Sequence, residues 1–398
     1  MAGESAWRTP GIPSLLAATA VGFSGFAVLL PTAPMRALEL GAGTAGAGQV
    51  NAVLMLFTVV AQLLVPKLLR RFGWGPVFTA GLVLLGAPSL LMPIFAELSW
   101  LLAMSGLRGL GFGVLTVCGS TAVAMLVAPA LRGRAVGAYG LAIALPQFLL
   151  TPLAPMVMES TSFVVVCLIG GLPVAAMPWV PGVARHLGML KTPASRGGVS
   201  AASTTWFGLI GALWPSILAL IVITAGGGAV LTFATETLSD AGAAAWALAM
   251  FTGVATVGRW LIGGMADRWG PTRFIGPILL LGAMSFGVFG WSAAQGQIWL
   301  TLLAACGAGA AYGSLQNLTL VEAFARGGEG SRARTSVAWN VGFDAGTGLG
   351  ALTIGQLAGA LTFSTAFGAM GATVAVVALL HGVLAIGLRR RAVGRRSS

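Results

Sequence analysis

The chain has 398 residues, of which 57% are hydrophobic and only 8% charged, with 59 glycines and a formal net charge of +12. Soluble globular proteins carry about a quarter charged residues, so 22 basic and 10 acidic side chains cannot build a solvated surface for a chain of this size. That composition excludes a soluble enzyme, a disordered chain and a disulfide scaffold, and leaves a polytopic membrane protein.

The first thirteen residues are polar and lack the basic-then-apolar order of a cleaved signal peptide, so the first apolar run reads as a retained span. A hydrocarbon core of about 30 Å takes roughly 20 apolar residues per helix. Runs of that length recur twelve times, near 14–35, 46–66, 75–95, 99–127, 135–158, 163–184, 205–232, 241–265, 274–294, 298–325, 335–359 and 364–387. They are too long for barrel strands, and a backbone in lipid must satisfy itself, so the spans are expected to be helices.

In the fourth span, Gly106-Leu107-Arg108-Gly109-Leu110-Gly111-Phe112-Gly113 holds a charge at bilayer depth, where charges usually mark function. Arg108 could line a cavity, bind an anionic group, or pair with an acid. The fifth span carries Pro146, Thr151, Pro152 and Pro155, which predicts a kink that Gln147 faces, free to bond a substrate or released carbonyls. The longest polar stretch, 185–204, reads as a flexible linker between an N-terminal six-helix bundle at 1–184 and a C-terminal one at 205–388, with a basic tail at 389–398.

In the eighth span Arg259 lies near the loop end and reads as a snorkelling residue. In the tenth, Gln316 and Asn317 either offer amides to a substrate or bond across helices, and Glu322 stands four residues before Arg326 on one helical face. Asp344 lies about nine residues into the eleventh span, roughly 14 Å deep, within a glycine-rich run from Asn340 to Gly350. It is either a protonatable switch or a structural hydrogen bond or ion pair. His381 in the twelfth span reads as a satisfied buried histidine. Cys118, Cys167 and Cys306 have no ligand spacing and read as small buried hydrophobes, so no metal site is expected. Phosphate-binding and catalytic motifs are lacking, so neither ATP drive nor enzymatic chemistry is expected.

Nineteen of the 22 basic residues fall in segments on one side of the membrane if both termini are inside; Arg36 lies opposite, and Arg108 and Arg259 lie within spans. This positive-inside bias predicts a multi-pass membrane protein with both termini cytoplasmic, and the Ala, Gly and Arg richness suggests a high-GC bacterium and hence a bacterial cytoplasmic membrane. The bias also disposes of a nucleic-acid partner, because the +12 is spread over separate loops. The halves repeat: Arg132-Gly133-Arg134 returns as Arg332-Ala333-Arg334 at a spacing of 200, and Arg71-Phe72-Gly73 as Arg268-Trp269-Gly270 at 197. Parallel six-helix repeats are one signature of a secondary transporter.

The stretch Gly263-Gly264-Met265-Ala266-Asp267-Arg268-Trp269-Gly270-Pro271-Thr272-Arg273 resembles the loop signature G-x-x-x-D-R-x-G-x-x-R of the major facilitator superfamily, carried by Gly263, Asp267, Arg268, Gly270 and Arg273. The first-half turn keeps only Arg71 and Gly73, with Pro66 and Arg70 in place of the family's Gly and Asp. The resemblance implies an all-α membrane protein of twelve transmembrane helices in two parallel-repeat bundles, similar to the drug and metabolite efflux branches. Asp267 either caps the start of the eleventh helix near Arg334 as part of a gate, where it would meet exposed amides and the positive dipole end, or is a solvated loop charge. The fourth span is similar to the family's R-x-x-x-G segment, whose Arg is linked to proton transfer; with Gly109 and Gly111 aligned, Ser105 takes that position and Arg108 stands one turn away. The fifth is similar to its antiporter motif G-x-x-x-G-P, with Leu145 replacing the Gly.

The family's cavity helices would here offer Phe23 and Phe26 from the first span, Met104, Arg108 and Phe112 from the fourth, and Trp206, Trp214 and Phe233 from the seventh. Tyr312, Gln316 and Asn317 come from the tenth, beside Gln147 and Asn340. Aromatic and methionine surfaces suit bulky amphipathic ligands. The proton-coupling candidates are Asp344, Glu322 and Arg108. The expectation is a monomeric exporter of a hydrophobic or amphipathic small molecule (a drug, antibiotic or natural product), using the proton gradient and no cofactor, with substrate, protons and bilayer as partners. A proton-coupled importer or uniporter of a metabolite is the alternative, and a non-transporting receptor or scaffold the alternative of another class.

Overall fold

The computed structural model describes residues 9–127, 132–189, 206–238, 240–327 and 331–394. The first half runs α1 (Ile12–Glu39), α2 (Gly43–Phe72), α3 (Trp74–Leu91), α4 (Leu98–Leu126) and α5 (Arg132–Ser160). Its sixth span, Phe163–Met189, is divided into α6 (Phe163–Gly170), α7 (Leu172–Ala175) and α8 (Val180–Met189). The second half runs α9 (Trp206–Leu238), α10 (Ala241–Trp269), α11 (Thr272–Ala294), α12 (Ile298–Gly327), α13 (Arg332–Ala360) and α14 (Phe363–Gly394).

Two of these elements depart from the sequence expectation. The sixth span is segmented because Pro173, Pro178 and Pro181 each remove a backbone donor. It also continues to Met189, into the stretch read as linker: Val183 and Leu187 are buried, and His186 Nδ1 lies 2.7 Å from Gly182 O. Eleven of the described helices are long and apolar enough to cross a membrane, and α13 is not among them. Its middle carries Asn340, Asp344 and Thr347 between glycines, so its polarity is concentrated where the others are most apolar.

The chain divides into two compact units, 1–200 and 201–398, which pair their helices alike. In the first, α4 packs against α2 and α3, and α1 against α5; in the second, α12 packs against α10 and α11, and α9 against α13. Lipid tails are as apolar as leucine, so such contacts depend on close backbone approach. A Cβ on Gly113 would fall 2.5 Å from Thr58 O of α2, and Gly309 and Gly313 meet the carbonyls of Phe251 and Ala255 in α10 in the same way. Within the glycine run of α13, Gly346 and Gly350 lie against the backbone of Ile221 and Ala225 in α9.

The α2–α3 and α10–α11 turns are also alike. Gly73 (φ 77°, ψ 177°) and Gly270 (φ 81°, ψ 143°) close α2 and α10 in a region of backbone space reserved for glycine. Arg71 lies 5.2 Å from the Phe72 ring centroid and Arg268 5.0 Å from that of Trp269. Cys118 and Cys167 are buried as expected, whereas Cys306 is partly exposed. It stands off the packed face of α12 that Ala304, Ala305 and Ala308 occupy.

Candidate functional site

The first unit places one cation in its interior. Arg108, ten residues past the start of α4, is 0% exposed. Its Nη2 lies 3.4 Å from Gly25 O in the middle of α1, and Nε and Nη1 have no hydrogen-bond partner. The unit's described carboxylates, Glu39, Glu97 and Glu159, are exposed at helix ends. Of the three roles open to Arg108, pairing with an acid of its own unit is therefore not realised among the described residues. Ser105, three residues earlier, is also fully buried, with its hydroxyl unbonded.

The aromatic candidates of this unit converge beside that cation. Phe112, one turn along α4 from Arg108, stacks on Phe26 with centroids 4.0 Å apart and planes 7° apart. Phe23 meets the Phe112 ring edge-on at 5.3 Å. Met104 is buried one turn to the other side of Arg108, whereas Gln147 is half-buried on α5. Thr151, also on α5, hydrogen-bonds Ala27 O at 3.2 Å and ties α5 to this part of α1.

The second unit holds the two carboxylates that are buried among the described residues, Glu322 and Asp344. Glu322 is a junction of four helices. Its Oε1 accepts from Arg326 Nη2 at 2.6 Å and from Thr272 of α11 at 3.3 Å, and its Oε2 accepts from Ser216 of α9 at 2.9 Å. His381 of α14 brings Nε2 to 4.0 Å from Oε2 and makes no hydrogen bond there. The pairing with Arg326 is the one the i,i+4 spacing indicates. His381 is buried as expected but not satisfied at Nε2, which lies beyond hydrogen-bond distance of Oε2.

Asp344 lies twelve residues into α13, about 18 Å along it, because the helix starts three residues earlier than its apolar run suggests. Its surroundings are polar. The Tyr312 hydroxyl of α12 lies within electrostatic reach of Asp344 and Arg259, beside Gln316 and Thr347. Gln316 is buried with neither amide atom in a hydrogen bond of good geometry, and the Tyr312 hydroxyl is the group it is placed to meet. Arg259 itself is exposed, as a snorkelling residue would be, and lies within electrostatic reach of Tyr312. Asn317 bonds across helices, donating to Arg259 O at 2.9 Å.

The remaining candidates divide. Phe233 is fully buried against Phe363, Trp214 is exposed, and Asn340 donates to Ser336 O of its own helix at 2.8 Å. In the loop signature, Gly263 faces the Asn317 amide, Arg268 and Arg273 are exposed, and Thr272 joins the loop to Glu322. The side chains of Trp206 and Asp267 lie outside the described residues. Sequence reasoning missed Ser216, Thr272 and Trp339; the last donates Nε1–H to Thr319 at 3.1 Å and stacks on Phe343. The spacing of Trp339 and Phe343, four apart on one face of α13, was the available signal.

A sequence profile of the Major Facilitator Superfamily matches residues 15–320. The fold is similar to that of the nucleoside transporter NupG, crystallised as a point mutant, with TM-score 0.74 and 11% identity, over 94% of this chain and 99% of that one. It is also similar to a bacterial homolog of the human lysosomal transporter Spinster, inward-facing and occupied, with TM-score 0.72 and 15% identity, over 96% and 97% of the two chains. No curated protein matches the chain.

Proposed function

Because this chain belongs to the major facilitator superfamily, and is a multi-pass membrane transporter of a small molecule, we propose that it exports a hydrophobic or amphipathic compound in exchange for protons. The observation that carries this reading is Asp344, a carboxylate buried at mid-helix in the one span that gives up hydropathy to hold it. A charge at that depth is costly and is retained where it works. Glu322 is held by Arg326, Ser216 and Thr272, which suits it to fastening α12 to α9 and α11. Asp344, within electrostatic reach of the Tyr312 hydroxyl, is suited to exchanging a proton between states of an alternating-access cycle. Within the first unit, the buried aromatic and methionine side chains of α1 and α4 supply an apolar surface, with too few hydrogen-bonding groups for a sugar.

The basic loops favour both termini inside, the Ala, Gly and Arg richness favours a bacterial cytoplasmic membrane, and a single chain carries every residue this reading uses. The test is transport into inside-out vesicles presented with a panel of neutral, cationic and anionic fluorescent amphipaths under an imposed pH gradient. We expect gradient-dependent uptake, abolished by an uncoupler and by Asp344→Asn. Gradient-dependent uptake that survives Asp344→Asn refutes the coupling role, and equal movement without a gradient identifies a uniporter.

A further inference from the structure

We propose that Arg108 and Ser105 form the binding site for an anionic headgroup, so that the cargo is an amphipathic organic anion of the carboxylate class. This rests on the export reading above and specifies its substrate.

A guanidinium stays protonated under all physiological conditions, and an ion buried without a partner carries a large desolvation penalty. Arg108 is the largest fully buried side chain of the chain's described residues, yet its polar contact is one long hydrogen bond to Gly25 O. Every described carboxylate of its unit is exposed at a helix end, and the titratable group in its electrostatic neighbourhood is the Cys167 thiol. No described residue of the unit neutralises it, so the position is explained by a partner that arrives from outside.

The geometry specifies the partner's shape. Nε and Nη1 are both unpartnered, and they flank Nη2 on its two sides. Whichever Nη2 hydrogen meets Gly25 O, one two-pronged edge of the guanidinium remains intact for a planar carboxylate. The unbonded Ser105 hydroxyl, three residues away on the same helix face, adds a third donor. One turn to the other side, Phe112 leads into the Phe23–Phe26 cluster, and Met104 lies a turn beyond Arg108 in the opposite direction. A carboxylate on the guanidinium therefore directs the ligand's apolar body onto aromatic rings. The Phe26–Phe112 stack opens to receive a ring, exchanging one aromatic contact for another.

The test is equilibrium binding to the purified, detergent-solubilised chain, using 1-naphthoate, dodecanoate and acetate, with 1-naphthamide and dodecanamide as neutral counterparts. We expect each amphipathic carboxylate to bind roughly tenfold or more tightly than its amide, and acetate to bind far more weakly than either. Arg108→Gln removes the carboxylate preference, Arg108→Lys retains part of it, and Ser105→Ala reduces it by a few-fold. The idea is overturned if no carboxylate binds more tightly than its amide to the wild-type chain, or if a folded Arg108→Gln protein keeps the preference. Acetate binding as tightly as naphthoate overturns the amphipathic part. The wild-type comparison needs no variant to fold, and binding in micelles involves no gradient, so this proposal and proton-driven export fail separately.

Discussion

Replacing Glu322 with Gln tests how much of the C-terminal bundle hangs on one carboxylate. Glu322 is 3% exposed, its partner Arg326 is 28% exposed, and the pair is closed at 2.6 Å. Removing one member of a fully buried pair costs about 3–5 kcal/mol; the partial exposure of Arg326 lets water take up part of that, leaving about 1–2 kcal/mol. The hydrogen bonds from Ser216 at 2.9 Å and Thr272 at 3.3 Å change from charge-assisted to neutral, a loss of about 1 kcal/mol each at most. The sum is about 1–4 kcal/mol, or a fall in melting temperature of roughly 2–16 °C for a unit of this size. The assay is thermal unfolding of the purified protein in detergent, run as a double-mutant cycle with Arg326→Gln. The variants must be less than additive, with a coupling of about 1 kcal/mol or more. A Glu322→Gln protein that melts within about 2 °C of wild type, or additive variants, would refute the view that this carboxylate fastens the bundle.

The turn glycines make a second set. Gly73→Ala and Gly270→Ala force a side chain into glycine-only backbone space and should each destabilise by about 1–3 kcal/mol. Gly264→Ala, in open space within α10, should stabilise by up to about 1 kcal/mol; thermal melting separates them. Gly313→Ala drives a Cβ into the Ala255 carbonyl and should lower the melting temperature through about 1–3 kcal/mol of overpacking. N-Ethylmaleimide should modify Cys306 first in the folded protein, with Cys118 and Cys167 protected until it is unfolded, as followed by intact-mass measurement.

Charges were legible in this sequence because they are so few. Against an apolar background, Arg108, Glu322 and Asp344 stand out by type alone, and the turn glycines stand out because each repeats after half the chain. The chemistry around them was not legible, for a reason that lies in membrane packing. Glu322 announces its local partner through the i,i+4 spacing, but Ser216 lies 106 residues away and Thr272 lies 50 away. Serine and threonine barely disturb a hydropathy profile, since in a helix their hydroxyls bond back to the preceding turn, as Thr224 and Thr319 do here. Which of them turns to a neighbouring helix depends on the face and depth at which the helices meet. Glycines set that meeting by admitting a carbonyl against the backbone, and a glycine run shows that a close contact exists without showing its partner. The same logic explains α13, which gives up apolar residues and still folds into the bundle: Gly346 and Gly350 hold it against α9, so backbone contact compensates for the hydropathy spent on Asp344. A polar residue at membrane depth thus becomes interpretable when the glycines beside it are read as part of its support.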